Sequence, residues 1–194
     1  MSQSSNPRPT VHELQRLARE AGRARRRRRP RLSRAARLNL IDAMSRWATS
    51  GLALIAGSSI FIAVSASALY PLRAAVWGVM VLAALYLARR LTKDFRAGGR
   101  SSARPFRWRA NYTATLSVLS AAFGAGALIL FPADAPADLG YQSLALMLAA
   151  AFGAAFLHAA HGRAALALAT PSSAFILLAA LRFSAASGAG AALA

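Results

Sequence analysis

The side chains best suited to chemistry in this sequence are two histidines, in Leu157-His158-Ala159-Ala160-His161. At a spacing of three residues they share one face of a helix. Imidazoles placed so can ligate a metal or haem iron, or titrate near neutral pH. A metal centre needs further donors. The chain has no cysteine, three histidines in all and six acids, and the apolar stretches beside the pair contain no carboxylate. No cofactor is therefore expected, and the plainer reading is two histidines at the end of a membrane helix, close to the headgroups.

A second candidate is Ala169-Thr170-Pro171-Ser172-Ser173. Proline lacks an N–H and frees the carbonyl four residues before it. Thr170, Ser172 and Ser173 can offer compensating polar contacts. The expectation is a helix kink at Pro171, and the sharper alternative is a broken helix lining a ligand cavity.

The third candidate is the arginine run Arg25, Arg26, Arg27, Arg28, Arg29, followed by Arg31, Arg34 and Arg37. Near an anionic membrane each basic residue contributes about 1 kcal/mol. Nucleic acid is the other partner such a run fits. Strand binding usually adds stacking aromatics, and none precedes Trp47, so a bilayer with anionic headgroups is the preferred partner. Walker-type, HExxH and G-x-S-x-G motifs are absent from the sequence, and no pair of residues has the spacing of a catalytic couple. An enzyme is the least favoured class.

The elements that would hold these residues follow from how charge and hydropathy separate. Of 194 residues 56% are hydrophobic, and the formal charge is +18, but the cations and the apolar residues occupy different segments. Uncharged runs of about 20 residues are long enough to cross a bilayer. The fold class expected is all-α, a polytopic membrane bundle of five spans at about 47–69, 72–90, 112–131, 141–160 and 164–181. Residues 183–194 read as a partial sixth. Residues 1–46 form a basic tail, with Thr10 and Glu13 placed to cap a short helix over 11–24. Residues 89–110 read as a polar loop broken by Gly98-Gly99 and Pro105. Trp47, Tyr70, Trp77 and Tyr86 fall where interfacial aromatic belts lie. Ser65-Ala66-Ser67-Ala68 imitates a signal-peptide cleavage site, but the basic region before it is too long for a leader.

Orientation follows from arginine and lysine counts. Segments 1–46, 89–110 and 161–163 hold 22 of the 24 basic residues. They fall on one side if the N-terminus is cytoplasmic, which places the chain in a bacterial inner membrane. Gly124, Gly126 and Gly153 mark helix crossing points, either within the bundle or on a homodimer face. The pattern A-A-F-G-A occurs at 121–125 and again at 150–154, by duplication or by chance in an alanine-rich chain.

Around the third span, Arg107-Trp108-Arg109 with Tyr112, followed by a small-residue helix containing Phe123-Gly124, resembles the membrane-embedded N-terminal sensor regions of bacterial sensor histidine kinases and GGDEF diguanylate cyclases. That resemblance would cover about residues 40–194. It implies six helices, a dimer and a cytoplasmic output domain after the last helix. The chain contains no phospho-acceptor region, ATP-binding domain or GGDEF motif. The function expected is a non-enzymatic sensory or anchoring module of a signalling protein. Two alternatives stay open: a small transporter or channel component, and a tether recruiting nucleic acid or an acidic partner through the arginine-rich tail. The absence of acids from the spans weighs against an ion-coupled transporter.

Overall fold

In a computed structural model, residues 34–97, 104–132, 135–159 and 161–192 are described. The capped helix expected over 11–24, and Arg25–Arg29 with Arg31, lie outside them. Residues divide into two units, Met1–Arg37 and Leu38–Ala194, and the helical bundle belongs to the second.

Five helices follow one another: α1 (Arg34–Ser67), α2 (Pro71–Arg96), α3 (Pro105–Ile129), α4 (Ala137–Leu157) and α5 (Gly162–Ala192). Each contains a stretch long and apolar enough to span a membrane, at Ser45–Ser67, Pro71–Arg96, Pro105–Ile129, Asp138–Leu157 and Gly162–Ala185. The chain is a multi-pass, all-α membrane protein. Helix starts follow backbone chemistry. Pro71 and Pro105 each stand in the first turn of their helix, where a missing N–H costs nothing and φ is already helical. Asp138 occupies the first turn of α4 and Lys93 and Arg96 the last turn of α2, charges of the sign each helix end favours.

Three expectations are corrected. The polar loop over 89–110 is largely helical, since α2 runs to Arg96 and α3 begins at Pro105. Its charge density hid an apolar face. Ala88 and Thr92 are buried, Leu91 and Phe95 pack on the core, and Trp108 covers them from α3. Residues 183–192 do not start a sixth helix. They continue α5, which at about 1.5 Å per residue reaches about 46 Å over its 31 residues. The expected boundary falls at Arg182, but one exposed arginine does not break a helix, and no proline stops it there. Trp77 is not part of an interfacial belt. It is fully buried, whereas Trp47 and Tyr86 are exposed as a belt requires.

Helix α3 is central and packs on α2, α4 and α5, with α4 also against α5. Leu116, Leu119, Phe123, Trp77 and Met147 form the interior, while Ile60, Phe61, Val64, Val79 and Phe156 point outward. An outward apolar belt is what lipid contact needs. Because lipid is as apolar as leucine, contact between helices relies on close approach and hydrogen bonds. A Cβ on Gly124 would lie 2.6 Å from Cα of Ser172 on α5, one on Gly126 would run into the indole of Trp77 on α2, and one on Gly153 would lie 2.7 Å from Leu54 on α1. All three glycines mark crossings within the bundle. The two A-A-F-G-A copies differ in environment, Phe123 being buried and Phe152 exposed.

Candidate functional site

At the end of the bundle where α2 finishes and α3 begins, aromatic rings line up across three helices. Phe95 stacks on Trp108 at 4.1 Å between ring centroids, and Trp108 stacks on Tyr112 at 5.1 Å and 7°. Tyr112 in turn faces the His158 ring at 6.2 Å. Trp108 and Tyr112 are four residues apart, so successive turns of α3 set their rings one above the other. The Trp108 indole donates to the Leu91 carbonyl at 2.8 Å, which fixes the ladder to α2.

His158 caps α4 just past its last turn, and it is buried. Nδ1 lies 2.8 Å from the Ala154 carbonyl oxygen. A carbonyl only accepts, so Nδ1 carries the proton. Nε2 is then an acceptor, and the Tyr112 hydroxyl donates to it at 3.2 Å. Burial holds the His158 imidazole below its ordinary range, opposed in part by the Ala154 hydrogen bond. Helix α1 closes the site. A Cβ on Gly51 would lie 2.5 Å from Cε1 of His158, so only glycine lets α1 approach this closely. The site thus joins α1, α2, α3 and the end of α4.

His161 does not join it. It stands in the turn beyond, half-buried, its backbone N–H donating to the His158 carbonyl at 2.9 Å. Burial, then the cations Arg109 and Arg163, lowers its imidazole from the ordinary range. The i, i+3 face expected for the two histidines fails because α4 ends at Leu157. Both His158 nitrogens are hydrogen-bonded inside the protein, to Tyr112 and to the Ala154 carbonyl. Among the described residues no three histidine or carboxylate side chains converge as ligands.

A second polar device sits mid-bundle at Pro171, inside the unbroken α5. The Ser172 N–H donates to Oγ of Ser120 on α3 at 3.0 Å, and the Ser120 hydroxyl donates to the Leu168 carbonyl. A hydroxyl from α3 is thereby inserted into the i→i−4 ladder of α5. Ser172 Oγ adds a bond to Leu168 at 2.8 Å. These bonds satisfy the Ser172 N–H and the Leu168 carbonyl, one residue past the Ala167 carbonyl that Pro171 frees. Thr170 is exposed, and Ser173 Oγ is buried without a hydrogen bond.

Of the Arg107-Trp108-Arg109-Tyr112 group, Trp108 and Tyr112 are in the site. Arg107 is exposed, and Arg109 lies 5.7 Å from the Phe106 ring centroid. Arg34 and Arg37 belong to the first turns of α1. Gly51 and Phe95 escaped the sequence reading. Phe95 had a detectable signal, since it lies seven residues after Ala88 and three after Thr92, on one helical face. Gly51 had none.

Comparison with family models, curated proteins and solved structures finds no match.

Proposed function

We propose that this chain is a non-enzymatic sensing and anchoring module of a bacterial signalling system, embedded in the inner membrane with its basic N-terminal segment cytoplasmic. The observation that carries this is the seat of His158 against α1. Helix α1 is unbroken from Arg34 to Ser67, while its candidate span begins only at Ser45. A change in packing at Gly51 moves a rod that continues out of the bilayer.

A packing switch needs an element with two discrete arrangements that a signal can bias. The His158–Tyr112 bond is such an element, because its polarity reverses when Nε2 gains a proton. Five crossings from a cytoplasmic N-terminus bring α5 to the outer face. Output through α1 reaches the arginine-rich segment on the cytoplasmic side, with anionic headgroups as that segment's partner.

The sequence has no cysteine, so spin labels can be placed without background. Asn39→Cys and Arg104→Cys, both at exposed positions, report the distance from α1 to the start of α3. In bilayers the distribution should shift when His158→Gln is added. An identical distribution in both proteins would refute coupling of α1 to the site.

A further inference from the structure

Helices α1 and α2 do not close on each other along their whole length. Between them runs an open groove of about 540 Å³. Its walls are apolar, with Leu52 and Ala56 on α1 and Leu82 on α2. Its end is basic, formed by Arg89, Lys93 and Arg96. These three are spaced four and three residues apart, so one face of α2 presents all of them.

The level of that end is fixed. Arg96 Nη2 donates to the Ser45 carbonyl at 2.7 Å, and Ser45 is where the first candidate span begins. The cations therefore gather at the end that the first two candidate spans share, and the apolar walls run along the spans from there. Arg89 and Lys93 make no ion pair among the described residues. The ion pair present there, Arg46–Asp42 at 2.7 Å, lies on α1.

We propose that this groove is a binding site for one anionic phospholipid, with its phosphate on Arg89 and Lys93 beside Arg96 and an acyl chain along Leu52, Ala56 and Leu82. The charge of the rim and the apolar length below it match the two halves of such a molecule, whereas a soluble anion would match the rim and leave the apolar length unfilled. The inference requires the five membrane spans but not the sensing role, so the two stand or fall separately.

The arginine-rich tail also attracts anionic lipid, so the test must separate the two. Full-length protein is purified in detergent, titrated with phosphatidylglycerol or phosphatidylcholine, and read by native mass spectrometry for lipid retained at low occupancy. Wild type should hold one phosphatidylglycerol selectively. Arg89→Gln/Lys93→Gln should weaken that first equivalent about 30-fold, roughly fivefold per cation squared. Ala53→Trp, at an exposed groove position, fills the space with the charges intact and should also abolish it. Arg28→Gln/Arg29→Gln removes as much charge from the tail and should leave it unchanged. Equal retention of phosphatidylcholine, or a first equivalent that survives Ala53→Trp, would overturn the site. So would loss of that equivalent in the tail variant alone.

Discussion

Replacing Gly124 with alanine tests the packing of the bundle most directly. A Cβ at this position meets Cα of Ser172 at 2.6 Å, its carbonyl oxygen at 3.0 Å and Cβ of Phe175 at 3.2 Å. Two of these atoms are backbone and cannot rotate away. Carbon atoms pack at about 3.5–4.0 Å, so α5 must retreat by roughly 1 Å. A gap of that size forfeits between a quarter and a half of each dispersion contact along the seam. It also stretches the Ser172–Ser120 hydrogen bond, now 3.0 Å, one turn away. Overpacking costs about 1–3 kcal/mol, and a weakened hydrogen bond about 1 kcal/mol more. The expected destabilisation is therefore about 2–4 kcal/mol. Gly57 and Gly78 supply the control, because a Cβ at either meets nothing within 4 Å. Alanine there should be neutral or stabilising by up to about 1 kcal/mol, since glycine is the poorer helix former. Reversible unfolding in mixed micelles, followed by helical ellipticity, gives all three values. If Gly124→Ala proves no more costly than Gly57→Ala, the α3–α5 seam is not packed as described.

Three further outcomes are expected. Stability should depend on pH in a defined direction. His158 and His161 are both lowered from the ordinary imidazole value of 6.5, so the unfolded chain takes up their protons first. Stability is then full above about 6.5 and falls as pH drops through that value towards the folded ones, and His158→Gln should flatten much of the slope in unfolding titrations between pH 8 and 5. Ser120→Ala should cost about 1–3 kcal/mol, because it withdraws the acceptor of a buried N–H and the donor to Leu168, and amide exchange at Ser172 should rise with it. Reporters fused after Gly140 and after Ala194 should both read the outer face, and neutralising Arg25–Arg29 should leave that pattern unchanged. A cytoplasmic signal at Gly140 in the neutralised protein would show that the remaining cations do not set topology.

What the sequence made legible was whatever depends on bulk hydropathy. Four runs free of charge, and a shorter one flanked by Arg73 and Arg89, announced five spans, and Gly124, Gly126 and Gly153 announced crossings, because small residues in lipid have few other uses. Helix ends were misjudged where charge and amphipathicity compete. Arg89–Arg96 looks like loop by composition, yet Leu91, Thr92 and Phe95 recur at helical spacing, and that period prevails. The site was half visible. Trp108, Tyr112 and His158 each stand out in the sequence, but nothing in the order of residues says that α3 and the end of α4 meet. Trp77 misled for a related reason. A tryptophan near a span end suits an interface, and only Gly126, 49 positions later in the chain, makes room to bury it.

Most polar contacts between helices share one device, and it bears on where a switch can sit. Lipid supplies no hydrophobic drive between helices, so Trp77, Arg96, Trp108 and Ser120 each borrow a backbone carbonyl of another helix. Trp77 donates to the Ala122 carbonyl at 3.0 Å and Trp108 to that of Leu91 at 2.8 Å, one indole from each of α2 and α3 onto the other helix. Ser120 does the same to Leu168. An indole N–H only donates and a carbonyl only accepts, so these contacts have a single arrangement, and breaking them leaves a polar group in hydrocarbon. They are locks. The Tyr112–His158 bond differs because both members can donate or accept, and one of them titrates. When Nε2 is protonated it becomes a donor, and the Tyr112 hydroxyl must turn to accept from it. In the switch proposed above, that reversal lies beneath Gly51, where α1 has no side chain to absorb movement and sits against the His158 ring.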